Sequence, residues 1–297
     1  MDGILVVDKP SGRTSHDVVA MLRRLTGEKK AGHTGTLDPI ATGVLVVCFG
    51  NATKALPYLP ESSKTYRVEA RLGRSTDTQD RTGRVIEEHP ACDIPYADLQ
   101  KALAGFLGAT RQLPPMYSAV QVGGERLYRL ARAGLEVERE ARHIEISAID
   151  LVWPSASASP RLRFDDRFVF TVTGSRGLYV RTLCHDLGQV LGCGAHLTEL
   201  RRLASGPFKL TDAVTMDGLT REEVAAKIMP LGKALGHLPA VDLSRAEAAR
   251  VAHGNAIGAG TDGGTALARA VDPSGRTIAI LARQGTSWQP VRVFLTD

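Results

Sequence analysis

The sequence predicts a protein of mixed helices and strands, and three observations carry that expectation. Runs of strand length, apolar or alternating, recur at residues 4–8, 44–49 and 65–72. Helical stripes lie among them: Val18, Val19, Leu22 and Leu25 in one, Leu183, Leu187, Val190 and Leu191 in another. Beyond residue 241 the chain turns Gly-rich, with short strand-like runs at 266–271, 277–282 and 291–295, the pattern of a small β-rich module.

Taken in order, residues 4–8 form a short buried strand and Lys9-Pro10-Ser11-Gly12 a turn. Ser15 is a good N-cap for the first helix, and Gly27 its stop. Residues 32–43, GHTGTLDPIATG, suit neither helix nor sheet, and the apolar strand 44–49 follows. In 65–72, Tyr66, Val68, Ala70 and Leu72 share one face, and Thr65, Arg67, Glu69 and Arg71 the other, as in a half-buried strand. Residues 73–83 read as polar loop and 96–106 as helix. Pro114-Pro115 breaks the chain. Residues 125–133 suggest a short basic helix with Arg126, Arg129 and Arg132 on one face. Strand patterns occupy 143–153 and 162–173, with a Ser/Ala turn at 155–159. A helix begins near Leu178, and another spans 243–252. A domain boundary is expected within 232–241.

The 297 residues suffice for one large domain and a small one, and 43% hydrophobic content allows a sizeable core. No apolar run approaches the roughly 20 residues that span a bilayer, and the start, MDGILVVDKP, has no secretory pattern. The chain is therefore expected in the cytoplasm. Cys48, Cys92, Cys184 and Cys193 match no zinc spacing and are expected reduced and packed. Lys and Arg number 37 against 32 Asp and Glu, a net charge of +5 that is compatible with a nucleic-acid partner without requiring one. Between Arg161 and Lys209 the basic residues outnumber the acids eight to four.

Asp38 is the first candidate for chemistry. Pro39 biases it away from helical geometry, and glycines on both sides permit unusual backbone angles. A carboxylate on a rigid turn before a strand can act as nucleophile or general base; the same pattern also fits a plain Asx turn. Arg181 starts a mostly apolar helix, where an arginine needs a partner or an exposed tip. Tyr66 and Tyr179 suit either the core or stacking on a planar ligand. His33 fits a loop, or stacking on a base. Asp38 has no second acid near it in sequence, and no phosphate-cradling loop, dinucleotide fingerprint or HExxH is present, which disfavours ATP, NAD and metal.

Several blocks together resemble the bacterial TruB family, the tRNA pseudouridine-55 synthases. They are ILVVDKPSGRTSHDVV, GHTGTLDPIATGVL, KTYRVEARLG, PPMYSAVQVGGERLYRLARAG, GLYVRTLCHDLG and LRRLASGPFKL, and they cover nearly the whole chain. Where members often have Cys-Ser-Lys-Gly-Thr-Tyr, this chain has Gly174-Ser175-Arg176-Gly177-Leu178-Tyr179, keeping the charge in Arg176. The resemblance implies an α+β fold, a largely antiparallel sheet with flanking helices. Residues 1–235 would form the catalytic domain, with an RNA-clamping insertion at about 118–145, and 236–297 a PUA-like RNA-binding domain. It implies isomerisation of a T-loop uridine in tRNA, without cofactor or metal. The target base would be flipped from its stack at a cost of a few kcal/mol. Asp38 would attack the nucleotide, Arg181 would pair with it, and Tyr66 would stack on the uracil. His33 would fill the vacated place. Tyr179, Lys9, Arg126, Arg129, Arg132 and Arg176 would contact substrate or RNA. The partner would be the tRNA T-stem-loop, bound by a monomer that requires no protein partner. Two other readings are an RNA-folding chaperone and a guide-RNA-dependent relative; the clamp-like insertion argues against the latter.

Overall fold

The computed structural model describes residues 1–60, 63–153, 161–259 and 265–294. Its main elements, in order, are β1 (Gly3–Lys9), α1 (Ser15–Thr26), β2 (Ala31–His33), β3 (Thr42–Phe49), β4 (Lys64–Leu72), α2 (Tyr96–Ala104), β5 (Gly108–Gln112), α3 (Leu127–Arg132), β6 (Arg142–Trp153), β7 (Arg167–Gly174), α4 (Val180–Val190), β8 (Ala195–Ser205) and β9 (Val214–Thr215). The C-terminal part adds β10 (Ala240–Asp242), α5 (Arg245–Ala252), β11 (Ile257–Gly258), β12 (Leu267–Val271), β13 (Thr277–Gln284) and β14 (Ser287–Val293). The chain divides into two compact units. One comprises Met1–Pro39, Gly43–Glu61 and Pro207–Asp297, the other Ile40–Thr42 and Ser62–Gly206.

In the first unit β1 pairs antiparallel with β3, Ile4 opposite Cys48 and Lys9 opposite Gly43. β2 adds to β3 with His33 opposite Val47, and β9 runs parallel to β1. β3 is buried without a break from Gly43 to Phe49, which is why its sequence shows no alternation. Gly43, at φ +100°, takes a backbone angle that other residues avoid as the chain enters this strand. The core joins Ile4, Val6, Val44 and Val46 to Phe208, Leu235, Ile280 and Phe294. The β-rich C-terminal part is a sheet in the order β10-β12-β13-β14-β11. Its own core holds Leu243, Val251, Ala268, Ile278 and Trp288.

The second unit is built on an antiparallel sheet in the order β8-β4-β7-β6-β5. β4 alternates as expected, with Tyr66, Val68, Ala70 and Leu72 buried. α4 buries Leu183, Cys184 and Leu187, but Val190, expected on the same stripe, is 65% exposed, and Leu191 is only half-buried. The mixed, largely antiparallel architecture with flanking helices is thus present, with a β-rich C-terminal domain.

Several local expectations change. Thr14, not Ser15, caps α1, through a capping box with Asp17. Residues 162–173 are two strands, because the chain reverses at Asp165, whose φ is +75°. The polar stretch 73–83 contains a strand, Arg74–Thr76, paired with Val85–Glu88. The basic helix starts only at Leu127. Gly123 and Gly124, both at positive φ, close a two-residue hairpin that pairs Arg126 with Gln121. The turn at 155–159 lies outside the described residues.

Candidate active site

Asp38 follows β2 in an irregular turn and is half-buried. The residues on either side of it are fixed by side chains from the β1–α1 segment. Freed from capping, Ser15 uses its hydroxyl twice on Leu37: its Oγ accepts from the Leu37 N–H at 2.8 Å and donates to the Leu37 carbonyl at 3.2 Å. Leu37 itself is 3% exposed. On the other side the Pro39 carbonyl accepts from the Gly12 N–H at 2.8 Å and from Lys9 Nζ at 3.4 Å. The chain leaves the first unit after Pro39 and re-enters it at Gly43.

Lys9 requires a correction. Its side chain is fully buried, so it does not reach out to RNA. Nζ donates to the carbonyls of Arg13 at 2.5 Å and Pro10 at 2.9 Å, as well as Pro39. An ammonium with three donors suits such a cluster of carbonyls, and here it staples the first turn to the Asp38 turn. His33 ends β2 and is half-buried.

Tyr66, Tyr179 and Arg181 belong to the second unit. Tyr66 is buried on β4, opposite Val172 of β7 and Arg202 of β8. Arg181 is 4% exposed, in the first turn of α4. A cation is disfavoured there both by burial and by the positive end of the helix dipole. Oxygen acceptors offset this: Nη1 donates to the Thr78 carbonyl at 3.1 Å and Nη2 to the Tyr117 carbonyl at 2.8 Å. The Asp80 carboxylate lies 3.9 Å from Nε.

Asp80 was missed at the level of sequence. Its Oδ1 accepts from Thr82 Oγ1 at 2.6 Å, Thr78 Oγ1 at 2.9 Å and the Thr82 N–H at 2.9 Å, so the carboxylate organises its own loop. Beside it, Gln79 sits at φ +63°, an angle uncommon for a non-glycine residue. Gln79 Oε1 accepts from Thr182 Oγ1 at 2.8 Å. Two successive residues of α4, Arg181 and Thr182, thus hold this loop. The signal in the sequence is Thr-Asp-Thr-Gln-Asp-Arg-Thr, an acid with a threonine on each side at turn spacing.

Arg176 is exposed in the turn after β7. Nearby, burial depresses the Lys64 pKa, and the charges of Arg202 and Arg176 add to the effect. Three cations thus gather around the start of β4. Arg126, Arg129 and Arg132 are all exposed on the hairpin and helix between Gln121 and Arg132. Arg132 lies over the Tyr128 ring at 5.7 Å. The four cysteines are free and buried, and burial pushes the Cys48 thiol up to about 12, which removes it as a nucleophile. Among the described residues, no three His, Cys, Asp or Glu side chains cluster as metal ligands would. No helix among them is long and apolar enough to cross a membrane.

Known proteins with this arrangement can be compared directly. Residues 23–180 match the N-terminal domain of the TruB family pseudouridylate synthases. Residues 181–237 match the tRNA pseudouridylate synthase B C-terminal domain, and 238–295 the C-terminal domain of tRNA pseudouridine synthase II. The chain belongs to the TruB family. It is 49% identical to the tRNA pseudouridine synthase B of Geobacter sulfurreducens over 258 residues, covering 86% of this chain and 82% of that one. The Syntrophomonas wolfei protein of the same name is 42% identical, with 99% of each chain covered. Among solved structures, a chain of a Cbf5-Nop10-Gar1 complex superposes with a TM-score of 0.71 at 28% identity, covering 99% of this chain and 85% of that one.

Proposed function

We propose that this chain isomerises uridine 55 in the T-loop of tRNA to pseudouridine, with Asp38 as nucleophile and no cofactor. Family membership supports the coarser statement, a pseudouridine synthase acting on tRNA. The observation that carries the finer reading is the Asp38 turn. Ser15 grips the residue before the carboxylate and Lys9 the residue after it, and such preorganisation favours attack in a defined direction. In the reaction the N1–C1′ bond breaks, a C5–C1′ bond forms, the C5 proton leaves and N1 gains one. Asp38 adds to the base or to the ribose carbon to allow the ring to turn. Arg181 pairs with Asp38, Tyr66 stacks on the flipped uracil, and His33 occupies the vacated place. Tyr179 lines the pocket beside Arg181. The arginines of the 118–145 clamp hold the stem phosphates, Arg176 adds a further contact, and residues 236–297 form a second RNA-binding domain. The protein works in the cytoplasm as a monomer.

A tritium-release assay on a free T-stem-loop labelled at C5 tests this. Release from the loop uridine, and none when that uridine is replaced by cytidine, is expected. Inactivity on the free stem-loop together with turnover in a guide-RNA complex would overturn it in favour of the guide-dependent reading.

A further inference from the structure

Gln112 ends β5 and its side chain is 5% exposed. It is spent entirely on one backbone residue: Oε1 accepts from the Tyr179 N–H at 2.8 Å, and Nε2 donates to the Tyr179 carbonyl at 3.0 Å. The donor and acceptor of one peptide residue dictate which end of the amide is which, so only this orientation satisfies both. The Tyr179 carbonyl also accepts the first bond of α4, from the Leu183 N–H at 3.0 Å. Tyr179 is the N-cap of α4 and makes no side-chain cap bond of its own. The amide of Gln112 therefore grips the helix where its register is set, two residues before Arg181. Five residues further along the same stretch, the Tyr117 carbonyl accepts from Arg181 Nη2 at 2.8 Å. Pro114 and Pro115, both buried, stiffen the connection.

We propose that Gln112 is a positioning residue for the isomerisation: it fixes the start of α4 and so the direction in which Tyr179 and Arg181 project. This rests on the functional reading above, in which those two side chains serve the substrate. Alanine at 112 removes both bonds and lets the first turn of α4 drift. Glutamate is the sharper probe. Ionised, it accepts from the Tyr179 N–H but repels the Tyr179 carbonyl; protonated, it donates to that carbonyl and restores both bonds. Burial and the carbonyl favour its neutral form. The charged residue placed opposite Gln112 across the sheet is Arg142 on β6; it favours the ionised form.

The test measures single-turnover kcat and Kd on a T-stem-loop for the full chain, Gln112→Ala and Gln112→Glu, from about pH 8 to about pH 6. Gln112→Ala is expected to lose about 10- to 100-fold in kcat, with Kd within about threefold of the parent. For Gln112→Glu, activity relative to the parent at each pH is expected to rise as pH falls. Parent-like kcat in Gln112→Ala, or a Gln112→Glu ratio that does not change with pH, overturns the inference while leaving the functional reading intact. Should Gln112→Ala fail to fold, the Gln112→Glu ratio decides. A parent chain that never converts the uridine overturns the functional reading, and this inference with it.

Discussion

At the scale of single residues, the side chains proposed for chemistry stand out in the sequence more than those that hold them. Asp38, Tyr66 and Arg181 stand in distinctive motifs. Lys9, for which the resemblance implies a substrate or RNA contact, is a buried staple for three carbonyls. Nothing in a single sequence signals that an ammonium will meet inward-facing carbonyls, since these are set by the turn at Pro10 and Pro39. Lys9→Met should lower stability by about 2–4 kcal/mol, because the Arg13 and Pro10 carbonyls lose a donor; thermal melting of the variant checks this. Asp80 was hidden in a stretch that looks like ordinary polar loop. Asp80→Asn keeps the size of the side chain but removes the charge 3.9 Å from Arg181 Nε. A fall in kcat of about 10- to 1000-fold is expected, with RNA binding nearly unchanged. Parent-like turnover would show that the pair is only architectural.

At the scale of elements, legibility followed periodicity. β4 shows a period of two because one face is buried, and Leu183 and Leu187 of α4 follow for the same reason, while Val190 faces solvent. The strand Val85–Glu88 is exposed at every position, so it leaves no alternation to read. The basic helix was drawn one hairpin too long, because the backbone demand of Gly123-Gly124 outweighs helix propensity in residues 125 and 126. Arg126, Arg129 and Arg132 consequently come from a hairpin strand and a one-and-a-half-turn helix rather than from one helix face. If each contacts a phosphate, replacing all three by Ala should flatten the plot of log affinity against log salt by roughly 2 to 3 units. Titration of the stem-loop at several salt concentrations measures this, and an unchanged slope would remove them from the RNA interface.

At the scale of the whole molecule, the fold class followed from the resemblance to a known family, with which the strand pattern agrees, while the way the chain is shared between its compact units did not. That sharing depends on distant segments, with Met1–Pro39 in one unit together with Pro207–Asp297. Global stability should report one buried titration. Burial holds the His196 imidazole below its ordinary pKa, with the charges of Arg71 and Arg74 acting in the same direction, against the Arg74 carbonyl and Asp80. The unfolded chain therefore takes up this proton first, and stability falls as pH drops below about 6.5 until the folded value is passed. The melting temperature should decline between about pH 7 and pH 5 less steeply in His196→Gln than in the parent; equal slopes would contradict the shift. The proposed chemistry rests on one carboxylate, Asp38, held on both sides by buried side chains. Its most direct test is Asp38→Asn, assayed for pseudouridine in a tRNA stem-loop alongside its binding affinity. A loss of about 10⁴-fold or more in turnover with near-parent affinity is the expected result. Substantial turnover by that variant would contradict the nucleophilic role of Asp38.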